Sequence, residues 1–252
     1  MATPVQVVIL AAGQGKRMYS DLPKVAHPLA GRALLAHVIE SARALDPQRL
    51  CIVVGHGADD VRSRVPAPGA AWVMQEKQLG TGHAVMQAGP ALAGFEGPLL
   101  VVCGDTPLLR AETLGKLIEG HKASGAAVTV LSMRLPDPTG YGRVVRGEGD
   151  RIAAIVEHRD ATPEQKKIDE VNSGIYVFDY AALAGVLGRL SSHNEQGEFY
   201  LTDTVALLLR DGKKTAVVCA DDFRELCGIN TPEQLAEAER IYRQLEAQGG
   251  RS

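Results

Sequence analysis

The residues with most chemical potential form one short run, Leu10-Ala11-Ala12-Gly13-Gln14-Gly15-Lys16-Arg17-Met18, followed by Leu22-Pro23-Lys24. An apolar strand that feeds a loop of small residues gathers several backbone N–H groups in one concavity, a natural cradle for phosphate oxygens. Lys16, Arg17 and Lys24 follow at once, with few acids among them. Two familiar phosphate motifs fail here. A dinucleotide fingerprint needs glycine three places after Gly15, where Met18 stands, and a P-loop needs Ser or Thr after Gly15-Lys16, where Arg17 stands. Asp105 is the second candidate. It closes the apolar run Leu99–Cys103 after Gly104, and a carboxylate at the carboxyl end of a buried strand suits Mg²⁺, which takes one or two protein ligands and leaves the rest to phosphates and water.

Those residues need strands to carry them. Val5–Ala11, Leu50–Val54, Trp72–Met74 and Pro98–Cys103 are unbroken apolar or β-branched runs, the pattern of strands buried on both faces of a parallel sheet. Helical patterns at Ala33–Ala44, Thr81–Ala91 and Ala111–Ala123 separate them. Such alternation predicts right-handed crossovers, a Rossmann-like doubly wound α/β sheet, and a ligand beyond the carboxyl ends of the strands. After about residue 127 the pattern changes. Strand runs at Val128–Met133, Arg143–Val145, Ile152–Val156 and Val171–Phe178 are joined by turn segments such as Asp137–Gly140 and Gly147–Asp150, which predicts a small antiparallel lobe on a mostly parallel core. A helix returns at Thr202–Leu209, a strand at Thr215–Cys219, and an amphipathic helix at Pro232–Ala247 with Thr231 as its cap. The tail from Gln248 reads as a frayed end or linker stub.

Composition narrows the class. The 252 residues are 45% apolar, 23% charged and 4% aromatic, with a formal charge of −3, which gives no basic footprint for nucleic acid or an anionic membrane and no stacking platform for single strands. The first apolar run is too short for a signal-peptide core or a membrane span. Cys51, Cys103, Cys219 and Cys227 form no Cys-x-x-Cys pair, and the first three sit in strand-like runs. They read as small core hydrophobes of a reduced, cytoplasmic protein.

The run around Gly13 resembles the nucleotidyltransferase family that activates sugar phosphates, whose pattern is Leu-Ala-Ala-Gly-x-Gly-x-Arg-Met followed by Pro-Lys. Further motifs resemble its N-acetylglucosamine-1-phosphate uridylyltransferase branch. They are Gln75 with Gln78–Ala84, Gly104–Leu108, Asp137–Arg143, Ile155–Thr162, Asn172–Ile175, Gln196–Asp203 and Gly228–Asn230. The resemblance runs from about residue 5 to about 245, and the order and spacing of the motifs are more specific than any one of them. It implies the nucleotide-diphospho-sugar transferase fold, with a nucleotide half over about 1–126, a sugar-binding lobe within about 127–229, and a C-terminal helix and linker stub over 230–252.

The reaction implied is attack of a sugar-phosphate oxygen on the α-phosphorus of UTP, giving UDP-N-acetylglucosamine and pyrophosphate in the cytoplasm, a step toward peptidoglycan and the cell wall. That nucleophile arrives ionised, so no catalytic Ser, Cys or strong base is required. The task is to hold two polyanions in line and neutralise growing charge. The resemblance assigns Arg17 to the triphosphate and Lys24 to the phosphates nearer the reacting centre, with Asp105 and Asn230 as ligands of Mg²⁺. Leu10, Ala11, Ala12, Gly13 and Gly104 would meet the nucleotide by backbone. Gln75, with donor and acceptor, and Gly80 and Thr81 at a helix start would read uracil. Gly142, Glu157, Asn172, Tyr200 and Thr202 would line the sugar pocket. The branch continues into a left-handed β-helix that acetylates and trimerises; its hexapeptide repeats are absent here, so acetyl transfer is not expected and a monomer is favoured. Cys103 beside the site raises an expectation of sensitivity to alkylation. Rival readings are transfer to another sugar phosphate or from another base, a glycosyltransferase (whose usual Asp-x-Asp triplet is absent), and an idle nucleotide-sugar sensor.

Overall fold

The computed structural model describes residues 5–147 and 151–247. The chain starts with β1 (Gln6–Ala11), a small hairpin of β2 (Pro28–Leu29) and β3 (Arg32–Ala33), α1 (Leu34–Arg43) and β4 (Arg49–Val54). Then come α2 (Ala58–Arg64), β5 (Ala71–Met74), α3 (Thr81–Ala88), β6 (Pro98–Cys103), α4 (Ala111–Ser124) and β7 (Val128–Arg134). The second half holds β8 (Arg143–Arg146), β9 (Ile152–Val156), β10 (Glu170–Asp179), α5 (Tyr180–Leu187), α6 (Asp203–Arg210), β11 (Thr215–Cys219) and α7 (Pro232–Ala247). Most of the turn expected over Gly147–Asp150, and the tail expected to fray from Gln248, lie outside the described residues.

The main sheet runs β5-β4-β1-β6-β10-β7-β11. β1 is parallel to β4 and β6, and β4 to β5. β10 alone reverses, antiparallel to β6 and β7, before β11 returns parallel to β7. The expected α/β sheet, mostly parallel, is therefore present. Its antiparallel part is β10 with the β8–β9 hairpin, which joins at Val171 opposite Arg143. β7 and β11 continue the main sheet.

The strands are buried on both faces because alternate side chains enter two separate cores. Val7, Ile9, Ile52, Leu100 and Val102 face α1 and α4, while Val8, Val53, Leu99 and Val101 face α3, α5 and α6. Each such side chain contributes about 1.5–3 kcal/mol of burial, so the sheet edge is a rigid platform for the loops that follow. α7 closes a third cluster, setting Ala238, Ile241 and Tyr242 against Leu29, Leu34 and Met18. Met18 anchors the far end of the glycine loop.

The cysteines divide. Cys51 is buried, and burial pushes its thiol up to about 11. Cys219 departs from the core reading: as the last residue of edge strand β11, which among the described residues pairs only with β7, it is exposed. No helix among the described residues is long and apolar enough to cross a membrane.

Candidate active site

In a sheet of this order the carboxyl ends of β5, β4, β1 and β6 lie side by side, and the reversed β10 brings its first half to the same edge. The loops after these strands form one line. Its middle is built by the loop after β1. Gly104, just past β6, donates its N–H to the Leu10 carbonyl at 2.8 Å, which fixes the two strand ends together. Ala11 and Ala12 are buried and Gly13 is exposed, the opening of the loop. Gly15 sits at φ +64°, and a Cβ there would lie 2.5 Å from Lys24 Cβ. Glycine is thus required both by the backbone and by the close passage of Lys24.

Lys24 is drawn inward by that passage. Its Nζ donates to Asp105 Oδ2 and to Asn230 Oδ1, the latter at 3.0 Å. The side chains of Lys24 and Asp105 are 13% and 17% exposed, so the ion pair is largely shielded yet open to a ligand. Asn230 is held by its own Nδ2, which donates to the Gly228 carbonyl at 3.2 Å, and the Ile229 N–H donates to the Asp105 carbonyl at 2.9 Å. Three groups from distant parts of the chain meet at one point. Two hard oxygen donors, a carboxylate and an amide, already converge on a cation there, the lysine ammonium. That donor set fits a small divalent ion whose remaining ligands come from phosphate. Arg17 stands on the same loop, in the short 3-10 turn Lys16–Met18, exposed and without a carboxylate partner among the described residues.

A test of the loop follows from Gly15. Gly15→Ala should destabilise the fold by about 1–2 kcal/mol through its left-handed backbone. By displacing Lys24 it should lower turnover roughly 10- to 100-fold; thermal melting and initial rates together check both.

At the β5 end, Gln75 is buried and its N–H donates to the Val54 carbonyl. Gln78 Nε2 donates to the Gln75 carbonyl at 2.9 Å, and Gln78 packs with Ala12 over Gly55. The floor is therefore continuous from β5 to β1. Gly80 has φ +105°, and a Cβ there would lie 2.6 Å from the Phe199 carbonyl; only glycine lets α3 begin against that segment. The Thr81 hydroxyl accepts from the Leu201 N–H at 3.0 Å and holds the 199–202 segment, which leaves only the backbone of Thr81 for the base.

At the β10 end, Glu157 approaches within hypothetical-Cβ contact of Gly142, 3.4 Å, and accepts from Thr202 Oγ1 at 3.1 Å. Asn172 donates its N–H to the Gly142 carbonyl at 2.8 Å, and its Oδ1 accepts from Gly174 N–H at 3.0 Å. Gly142, Glu157, Asn172 and Thr202 form one cluster. Tyr200 is buried beside it, with its hydroxyl accepting from Gln196 Nε2 at 2.8 Å. Burial holds the Glu157 carboxyl above its ordinary range, opposed by the Thr202 bond. Cys103 donates to the Gly174 carbonyl at 3.5 Å, and burial, with Asp105 adding, pushes its thiol up to about 12. A thiol held protonated by burial is a poor nucleophile.

Sequence reasoning missed Tyr141. Its half-buried hydroxyl, pushed up by burial, bonds the backbone of Gly228 and the side chain of Cys227, and so ties the antiparallel hairpin to the loop that presents Asn230. Tyr141 stood inside a quoted motif, but nothing local names a partner 86 residues on.

Residues 7–167 match the MobA-like NTP transferase domain model. The chain is 50% identical over 244 residues to the bifunctional protein GlmU of Thermobifida fusca, covering 94% of this chain and 50% of that protein. It is 52% identical over 240 residues to the protein of that name from Paraburkholderia phymatum, covering 94% and 52%. With that of Pseudomonas putida strain F1 the figures are 51% over 250 residues, 97% and 54%. The chain thus spans about half the length of the curated relatives it matches. A solved UDP-glucose pyrophosphorylase complexed with UDP-glucose shares the fold at a TM-score of 0.76 and 18% identity, over 96% of this chain and 99% of that one. With the family model matched over most of its sheet and glycine loop, the chain belongs to the MobA-like NTP transferase family.

Proposed function

We propose that this chain transfers the uridylyl group of UTP to N-acetylglucosamine-1-phosphate, giving UDP-N-acetylglucosamine and pyrophosphate. The observation that carries the proposal is the meeting of Lys24, Asp105 and Asn230 between an amide-lined end at Gln75 and a hydroxyl-reading end at Glu157. A nucleoside diphosphate sugar laid along this edge would put its base over β5, its phosphates over β1 and β6, and its sugar at β10. The likeness of fold to a pyrophosphorylase holding UDP-glucose supports that reading.

The phosphate oxygen of the sugar substrate attacks the α-phosphorus. The bond to the β-phosphate oxygen breaks, and its electrons leave with pyrophosphate. Arg17 is free to meet the triphosphate, and the backbone of Leu10–Gly13 and Gly104 flanks it. Lys24 holds the phosphates at the reacting centre and keeps the two anions from repelling each other. Asp105 and Asn230 would hold Mg²⁺, which when bound supplies charge neutralisation at the phosphate oxygens. Gln75 and the backbone of Gly80 and Thr81 read the base; Gly142, Glu157, Asn172 and Thr202 bind the sugar, with Tyr200 behind them. This division assigns about 1–126 to the nucleotide and part of 127–229 to the sugar. These substrates fit a cytoplasmic reaction that supplies a cell-wall precursor, with no nucleic-acid or membrane partner.

Pyrophosphate release over a matrix of nucleoside triphosphates and sugar phosphates tests the proposal. UTP with N-acetylglucosamine-1-phosphate should give the highest kcat/KM. A better rate with another base or sugar would replace the substrate assignment.

Glu157 offers a second check. Its folded pKa is raised, so its contribution to stability is complete below the unfolded value and is lost as pH rises through the folded one. At neutral pH the charged form is a burden on the free protein. Glu157→Gln should therefore raise the melting temperature by about 2–4 °C at pH 7–8, the scale of ~1 kcal/mol, with the gain vanishing toward pH 4. The same variant should raise KM for the sugar phosphate. Melting curves at two pH values and substrate titration measure the two effects.

A further inference from the structure

An amide side chain has a donor face and an acceptor face, and its neighbours decide which one a ligand meets. Gln75 Nε2 donates to the Gly80 carbonyl at 3.1 Å and lies 3.0 Å from His83 Nδ1. A carbonyl can only accept, so the atom facing Gly80 must be the NH₂. One of its N–H bonds is taken there, and the other points at Nδ1, which must then carry the lone pair. The ring proton then sits on Nε2, which lies 3.2 Å from Gln87 Nε2; a ring N–H facing that position requires the Gln87 amide turned over, with its oxygen there as the acceptor. The imidazole is braced against Phe199, with ring centroids 6.4 Å apart. Phe199 is itself fixed, since its carbonyl accepts from Gly82 N–H and its N–H donates to Leu79. Both donors of Gln75 are therefore engaged inside the protein. Its side-chain oxygen takes no hydrogen bond from any described residue and is not among the buried atoms lacking a partner.

We infer that His83 is a positioning residue for base selection: it locks Gln75 with the carbonyl oxygen toward the ligand. The inference rests on the proposed role of Gln75 at the base end of the site. An outward oxygen accepts from the imide N–H of uracil. The corresponding ring nitrogen of cytosine carries a lone pair, so two acceptors would face each other. Selection against cytosine thus comes from a tautomer held one residue away from the base. Of the two functions expected of Gln75, donor and acceptor, only the acceptor is left for a ligand.

The test is the ratio of kcat/KM for UTP over CTP, with binding of each nucleotide measured alongside by calorimetry. His83→Phe fills the same space without an acceptor, and should lower the ratio about tenfold while thermal melting stays close to wild type. His83→Asn can place its side-chain oxygen where Nδ1 lies and should restore most of the ratio. A merely structural role for His83 would change rates for both nucleotides together and leave the ratio alone. Gln87→Met, which removes the acceptor for the Nε2 proton, should shift the ratio in the same direction by less, and serves if His83→Phe does not fold. An unchanged ratio in the His83 or Gln87 variants, with Gln75→Ala lowering it, overturns the positioning role only. An unchanged ratio in Gln75→Ala overturns that role together with the base-reading assignment of Gln75.

Discussion

Asp105→Asn should lower turnover by about 10³-fold or more, roughly 4 kcal/mol at 1.36 kcal/mol per decade, in a protein that remains folded. The substitution is isosteric, and the bond that ties Asp105 to Ile229 uses its backbone carbonyl, not its side chain. What is lost is negative charge at the centre: Lys24 loses its ion pair with Asp105 and keeps neutral amide acceptors only, and a divalent ion loses its anionic ligand. Because the pair is partly open to solvent, its loss should lower the melting temperature by only a few degrees. Rates measured across a magnesium titration check the assignment. A shallow loss that added metal fully rescues points to weakened binding, and wild-type turnover at ordinary magnesium removes Asp105 from the centre.

The second large effect is expected at Arg17. Arg17→Ala should reduce kcat about 10²- to 10³-fold, the scale of removing one preorganised charge stabiliser, with KM for the sugar phosphate unchanged. The side chain is exposed and has no carboxylate partner among the described residues, so its removal breaks no ion pair there and should alter stability by less than about 0.5 kcal/mol. A residue that matters to turnover and not to folding is what a guanidinium reserved for a polyphosphate would be. Steady-state kinetics with each substrate varied in turn separates this from a surface arginine, which would leave both constants alone, and from a sugar contact, which would raise only KM.

The parts of this account that were legible in the sequence are those fixed by local chemistry. Fully apolar runs named the central strands because β1, β4 and β6 are covered on both faces. Thr231 and Pro232 announced α7, and the Thr231 hydroxyl does accept from the Gln234 N–H. The helix expected over Thr81–Ala91 ends at Ala88 and continues as a 3-10 turn, because Pro90 lacks the N–H that an α-helix needs. α2 was missed because only Ala58 and Val61 of its seven residues are buried, too few for a periodic stripe. α5 was missed for the opposite reason: Tyr180–Leu187 is nearly all apolar or small, without a polar face to mark the period, and its start is set by Asp179 accepting from the Ala182 N–H. In the site, single residues could be named, but their partnerships could not. Lys24 meets Asn230 across 206 positions, and the His83–Gln75 lock is a matter of lone pairs that no spacing rule records.

The central claim is that the cationic glycine loop and the Asp105 centre act together on one nucleotide. It is tested most directly by following pyrophosphate and nucleotide-sugar formation from UTP and N-acetylglucosamine-1-phosphate, with magnesium and with excess chelator. The account predicts equal amounts of pyrophosphate and UDP-N-acetylglucosamine with magnesium and neither product with chelator. Tight binding of the nucleotide sugar with no pyrophosphate exchange in either direction would contradict it.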